Sequence, residues 1–125
     1  MSVKIVRTER EANYIRYYCE GAFDVNEMVD IIANISTRTL ESGIKSAFID
    51  VTNVSGNPDI ADRFILGSEA AGRENTKKVN LAFWGYEPLI ESDDLGETVA
   101  RNRGVSTRTF HDETETIAWI KSLGQ

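Results

Sequence analysis

Three aspartates, Asp50, Asp59 and Asp62, fall close together in the segment "FIDVTNVSGNPDIADRF". Carboxylates spaced in this way could share a proton in acid-base chemistry or hold a magnesium ion through oxygen ligands. An acidic pocket of the receiver type also needs carboxylates at the end of the first parallel strand and a lysine on a later one. Neither "CEGAF" nor "VSTRTF" provides them, so helix capping and surface solvation are the expected roles of these aspartates.

His111 is the one histidine and Cys19 the one cysteine, so a Ser-His-Asp or Cys-His arrangement would have to be built around His111. It sits between Phe110 and Asp112 at the turn into the last helical stretch, where a polar residue is ordinary. Cys19 lacks a second thiol for a disulfide or a zinc pair and reads as a small buried apolar residue. Arg101, Arg103 and Arg108 make a local basic cluster of the kind usually solvated and ion-paired. The "GNPD" and "RNRG" turns match neither G-x-G-x-x-G nor a Walker loop. No catalytic set, no metal site and no cofactor is expected, and the chain does not read as an enzyme.

The elements that must position any site follow from pattern. With 125 residues, 41% of them hydrophobic and 27% charged, the chain has the balance of one globular domain. Its net charge of −6 argues against nucleic acid. The N-terminus lacks the apolar core of a secretory signal, and no run approaches the roughly 20 apolar residues of a membrane span. A cytoplasmic location is the expectation.

"VKIVRTE" and "NYIRYYCE" read as a β-hairpin, and its Tyr14, Tyr17 and Tyr18 suggest a surface on which a homodimer could form. Val25, Met28, Val29, Ile32 and Ile35 line one face of a helix. That helix is opened by Asp24 and Glu27, stapled by Phe23 and Met28, and stopped at Gly43. "KSAFIDV" and "KVNLAFW" are apolar runs without strict alternation, the mark of strands covered on both faces. Between them "PDIADRFILGSEAAG" reads as a helix with Asn57 as N-cap, Pro58 at its first position, and Ala61, Phe64, Ile65 and Ala71 toward the core. "SDDLGETVARNRG" is a short helix capped by Ser92, with Leu95 and Val99 one turn apart. "VSTRTF" is an edge strand, and a last helix capped by Asp112 and Glu115 buries Ile117, Ile120 and Leu123. The series β-β-α-β-α-β-α-β-α predicts a single α/β domain with a mixed, mostly parallel sheet and helices packed against it. Phe48, Ile49, Leu81, Phe83, Ile32, Phe64 and Ile120 are its expected core.

This succession, with "FIDVTNVSGNPDIADRFILG" and "VARNRGVSTRTFHDETETIAWI", resembles the STAS-like domains related to bacterial anti-sigma-factor antagonists, in the branch also compared with CRAL-TRIO lipid-binding domains. The resemblance covers nearly the whole chain, read as a single domain of residues 1–125, is strongest in these two segments, and is topological and hydrophobic rather than a set of catalytic letters. It implies a non-enzymatic regulatory or protein-interaction module. In regulatory antagonists a phosphorylated serine stands at the start of the helix after the central strand. Here that place reads Asn57-Pro58-Asp59-Ile60, so the phosphosite does not carry over.

The loop after the central strand lies where open α/β sheets hold ligands, at the strand ends. Thr52, Asn53, Ser55, Asn57 and Asp59 from this loop, with Trp84 and Tyr86 from the end of the next strand, are the expected ligand- or partner-facing residues. The partner is expected to be a protein. The alternative is a small apolar molecule or lipid held in a crevice at the strand ends near Val51 and Trp84, beneath the helix between Asp59 and Gly72. Asp59 adds negative charge to a helix start that would otherwise attract an anion, so a neutral ligand with a polar tip suits the loop better than a phosphate.

Overall fold

The computed structural model describes residues 2–123. Strands β1 (Lys4–Arg10) and β2 (Ile15–Ala22) form the predicted antiparallel hairpin. Strands β3 (Ser46–Ser55), β4 (Asn80–Trp84) and β5 (Ser106–Phe110) then join in parallel, in the spatial order β1-β2-β3-β4-β5. The result is the single α/β layer that the alternating pattern predicted.

Helices α1 (Val25–Glu41), α2 (Ile60–Ala71) and α3 (Leu95–Asn102) each link one parallel strand to the next. Every crossover advances in the same direction across the sheet, so right-handed connections place all three helices on one face. Helix α4 (Glu113–Ser122) follows the edge strand, has no further strand to reach, and folds back over β3, β4 and β5 on the opposite face.

Central strand β3 is buried on both sides, as its unbroken apolar run predicted. Ile49 and Val51 join Tyr17, Ile32, Ile35 and Leu81 in the large core under α1 to α3, while Phe48 joins Ala82 and Ile120 in a smaller one under α4. Phe83 packs against the first cluster, partly buried. Gly43 ends α1 with φ +83°, the left-handed conformation that only glycine adopts at no steric cost. Asp24 and Asp112 cap α1 and α4 as read from the sequence, each accepting from a backbone N–H three residues on.

Several expectations need correction. Helix α2 is capped by Asp59, not Asn57: Asp59 Oδ1 accepts from Asp62 N at 2.7 Å and Asp62 Oδ2 from Asp59 N at 3.4 Å, a reciprocal box that excludes Pro58 from the helix. Helix α3 is capped by Asp94, not Ser92, through Asp94 Oδ1 and Glu97 N. Leu123 lies one residue beyond α4 and is exposed. Tyr17 is fully buried, with its hydroxyl 2.8 Å from Thr39 Oγ1, because strand alternation turns it toward α1 while Arg16 and Tyr18 face the other way. The aromatic hairpin surface expected to support a homodimer therefore loses its middle tyrosine.

The largest correction concerns α2. Ala61, Phe64 and Ile65 were expected in the core, yet all three are exposed. Instead Arg63, Gly67, Ala70 and Ala71 face inward at i, i+4, i+7 and i+8. The small stripe lets α2 approach α3 closely: a Cβ on Gly67 would stand 2.5 Å from the Gly96 carbonyl oxygen and 2.9 Å from Val99 Cβ. Bulk at Gly67 would separate the helices, and Ile60, Phe64 and Ile65 point out while Leu66 is partly buried against the core.

Cys19 is buried as predicted, and burial, aided by the charge of Asp50, pushes its thiol up to about 12. A raised folded pKa stabilises the fold below the unfolded thiol's pKa and is lost as pH rises through 12. Cys19 is expected to resist a thiol-reactive dye at pH 8 in the native protein and to label fully in denaturant. Rapid native labelling at that pH would contradict its placement.

Candidate functional site

The strand ends of β3 and β4 frame the site. The β3–α2 loop leaves the sheet at Ser55, whose hydroxyl donates to the Gly21 carbonyl at 3.4 Å, and passes through Gly56 at φ +144°. A Cβ at Gly56 would lie 2.8 Å from Phe23 Cβ, so this turn demands glycine on grounds of both space and backbone. Beyond it the chain enters α2 through the Asp59 cap.

Opposite stands the segment 85–94 between β4 and α3, fastened to α2 by one side chain. Arg63 is 4% exposed. Its Nε donates to the Pro58 carbonyl at 3.1 Å, one terminal nitrogen to the Leu89 carbonyl at 2.9 Å and to Asp94 Oδ2 at 2.8 Å, and the other to the Pro88 carbonyl at 2.7 Å. Glu91 approaches Nε at 3.4 Å. A planar fork with five N–H donors can fix two loops at once in this way, where an ammonium group could not. His111 adds a second tie, its Nε2–H donating to the Ile90 carbonyl at 2.8 Å. That bond gives the lone histidine a structural role.

Between the two segments runs a shallow groove lined by Thr52, Ser55, Asn57, Tyr86, Glu87 and Leu89. Four of the seven expected site residues, Thr52, Ser55, Asn57 and Tyr86, thus come together. Asn53 and Asp59 are exposed nearby but do not line the groove, and Asp59 is occupied in capping. Trp84 points to the α4 face, where its ring lies 6.3 Å from Phe48 and 6.0 Å from Tyr86. On α2, the next element after the Asp59 cap, Ile60 is 78% and Phe64 48% exposed, with Ile65 also exposed, while Tyr86 in the groove is 52% exposed. Arg103 stacks 5.4 Å from the Phe64 ring and Arg101 pairs with Glu97, so two members of the basic cluster are engaged.

Beneath α2 lies a separate apolar cavity of about 80 Å³, bounded by Val51, Leu66, Gly67, Leu81 and Leu89 among others. The Thr76 hydroxyl on its wall is buried without a partner. The cavity reaches Val51 but not Trp84, which is on the other face of the sheet.

On that other face, Asp50 is buried rather than capping or solvated. It accepts from Arg16 at 2.9 Å, and Arg16 also donates to Glu113 at 2.5 Å. Burial alone would lower the proton affinity of the Arg16 guanidinium, but the bonds to Asp50 and Glu113 outweigh it and keep the group charged. The guanidinium carbon lies 4.2 Å from the Phe48 ring centre and 4.7 Å from that of Tyr18. Asp50 Oδ1 takes both Thr52 N and Thr52 Oγ1, which leaves the carboxylate fully engaged. This is a structural ion-pair network.

Among the described residues no cluster of His, Cys, Asp and Glu suited to a metal is present, and no helix is long and apolar enough to cross a membrane. No protein-family model and no curated protein sequence matches the chain.

Sequence reading missed Ile60, Phe64 and Ile65 as surface residues and Arg63 as the clasp. The available signal was the second stripe, Gly67, Ala70 and Ala71, whose small side chains mark close helix approach.

Proposed function

We propose that this protein is a non-enzymatic STAS-like interaction module that docks a protein partner on α2 and the adjoining β3–α2 loop. One observation carries the reading: three of the four large apolar side chains of α2, Ile60, Phe64 and Ile65, are exposed, in a molecule with an exposed tyrosine in a groove at the strand ends. Isolated exposed apolar residues are ordinary, but Ile60 and Phe64 stand one turn apart on α2 with Ile65 next to Phe64, so the exposed apolar side chains are clustered at one end of the helix. Support comes from the element order, the feature on which the STAS-like resemblance rests. The Asp59–Asp62 box occupies the start of α2, so the reading includes no phosphorylation switch there.

Binding of a small apolar molecule is a second reading, supported by the cavity beneath α2 and the unpartnered Thr76 hydroxyl. At about 80 Å³ the space falls well short of the roughly 300 Å³ at the lower end of ligand pockets. A lipid would require α2 to move, which places this reading second.

The test is site-specific photo-crosslinking in cells that produce the protein. A photoreactive residue in place of Tyr86 is expected to trap one discrete protein partner, and one in place of Lys121, exposed on α4, none. Identical products at both positions, or no product at either, would contradict docking at this face.

A further inference from the structure

The charges around the docking face specify its partner. Residues 57–66 and 85–94 hold six carboxylates and a single cation, Arg63, and so concentrate most of the chain's net charge of −6 at this one end of the molecule. Arg63 is buried and already shared among three carbonyls and Asp94, so it offers nothing to a visitor. Asp94 is consumed in the same clasp and in capping α3. The remaining five, Asp59, Asp62, Glu87, Glu91 and Asp93, belong to the same two segments that carry Ile60 and Tyr86. Asp59 and Asp62 lie on the first turn of α2, Glu87 in the groove wall, and Glu91 against Arg63 across the gap. Arg103, stacked on Phe64, sets one cation beside these carboxylates.

We infer that the occupant of this face is an amphipathic helix of another protein, apolar on the side that meets Ile60 and Phe64 and bordered by lysines or arginines. The inference rests on the docking reading above and adds the chemistry of the partner. An apolar centre with a charged rim is the ordinary anatomy of a transient interface, in which the rim sets partner choice and association rate. The same charges disfavour a second copy. A two-fold dimer through this face would set each acidic rim against its own image, and like charges placed together oppose association. Ile60 and Phe64 stand one helical turn apart on α2, which fits a helix laid against α2.

The experiment uses the full chain, isotopically labelled, titrated with two synthetic amphipathic helical peptides that share one leucine face and differ only in flanking lysines or flanking glutamates. Backbone NMR shifts are expected to move at Ile60, Phe64 and Tyr86 with the lysine peptide. Its affinity should fall as salt rises, because the rim charges are exposed and screened. Ile60→Asp should leave the rest of the spectrum unchanged and weaken binding by about tenfold or more, the scale of losing a central anchor. Glu87→Lys with Asp93→Lys should reverse the preference between the peptides. Equal or stronger binding of the glutamate peptide at the same residues would overturn the basic partner while keeping the docking face. Shifts elsewhere, insensitive to Ile60→Asp, would overturn both. Self-association of the free protein that Ile60→Asp abolishes would instead identify a second copy as the occupant and overturn the inference.

Discussion

Replacing Arg63 by alanine is expected to lower folding stability by about 3–5 kcal/mol, the usual cost of removing one partner from a buried ionic network. The side chain is almost completely buried, and every contact it makes crosses between segments: Pro58 before α2, Pro88 and Leu89 in the β4–α3 connection, and Asp94 at the cap of α3. Without it three carbonyls lose a donor in a site too enclosed for water to serve all of them, and Asp94 loses its countercharge. Arg63→Lys should recover part of the loss, since it restores the charge but not the fork. Urea unfolding measures the stability, and amide exchange at Leu89 and Ile90 measures the loosening of the groove wall. A variant within about 1 kcal/mol of wild type, with unchanged exchange, would show that the clasp does not hold these segments.

The second large effect belongs to Phe48. It is fully buried on β3 under α4, with ring centres 6.0 Å from Tyr14 and 6.3 Å from Trp84 and the Arg16 guanidinium 4.2 Å away. The cluster it anchors is small, with Ala82 and Ile120 as its other fully buried members, so little can collapse into the space left by Phe48→Ala. A loss of about 3–5 kcal/mol is expected. Trp84 and Trp119 both pack on this cluster, so their fluorescence should shift to the red as α4 loosens. A smaller loss, under about 1 kcal/mol, would mean that α4 does not depend on this contact.

These two residues also show what the sequence made legible. Phe48 could be placed because β3 carries an unbroken apolar run, and such a run has one structural solution in an alternating α/β chain. Gly43, Asp24 and Asp112 were readable for a similar reason: caps and stops act through neighbours in the chain. Helix α2 was not readable, because it carries two apolar stripes and hydrophobicity alone favours the larger one. The choice fell to Gly67, whose approach to Gly96 is a contact between helices that no local pattern contains. Arg63 was hidden by the same logic. A charged residue on the inner stripe looks wrong until carbonyls from a segment some 25 residues away in sequence are seen to receive it. Asp50 was misread as a capping or solvated group because its partners, Arg16 and Glu113, come from distant parts of the chain. The loop after β3 was read as too long: the strand runs on to Ser55, so Thr52, Asn53 and Ser55, expected in the loop, belong to β3, and Trp84 was assigned to the loop from the other face of the sheet.

The most direct measurement of the central claim, that the outer face of α2 is a docking surface rather than displaced core, combines Ile60→Asp with the photoreactive residue in place of Tyr86. Ile60 is the most exposed of the large apolar residues and stands in the first turn of α2, where an added carboxylate suits the helix dipole. The account predicts a urea midpoint equivalent to wild type within about 0.5 kcal/mol, together with loss of the discrete crosslinked partner. A large loss of stability, or a crosslink that persists undiminished, would contradict it.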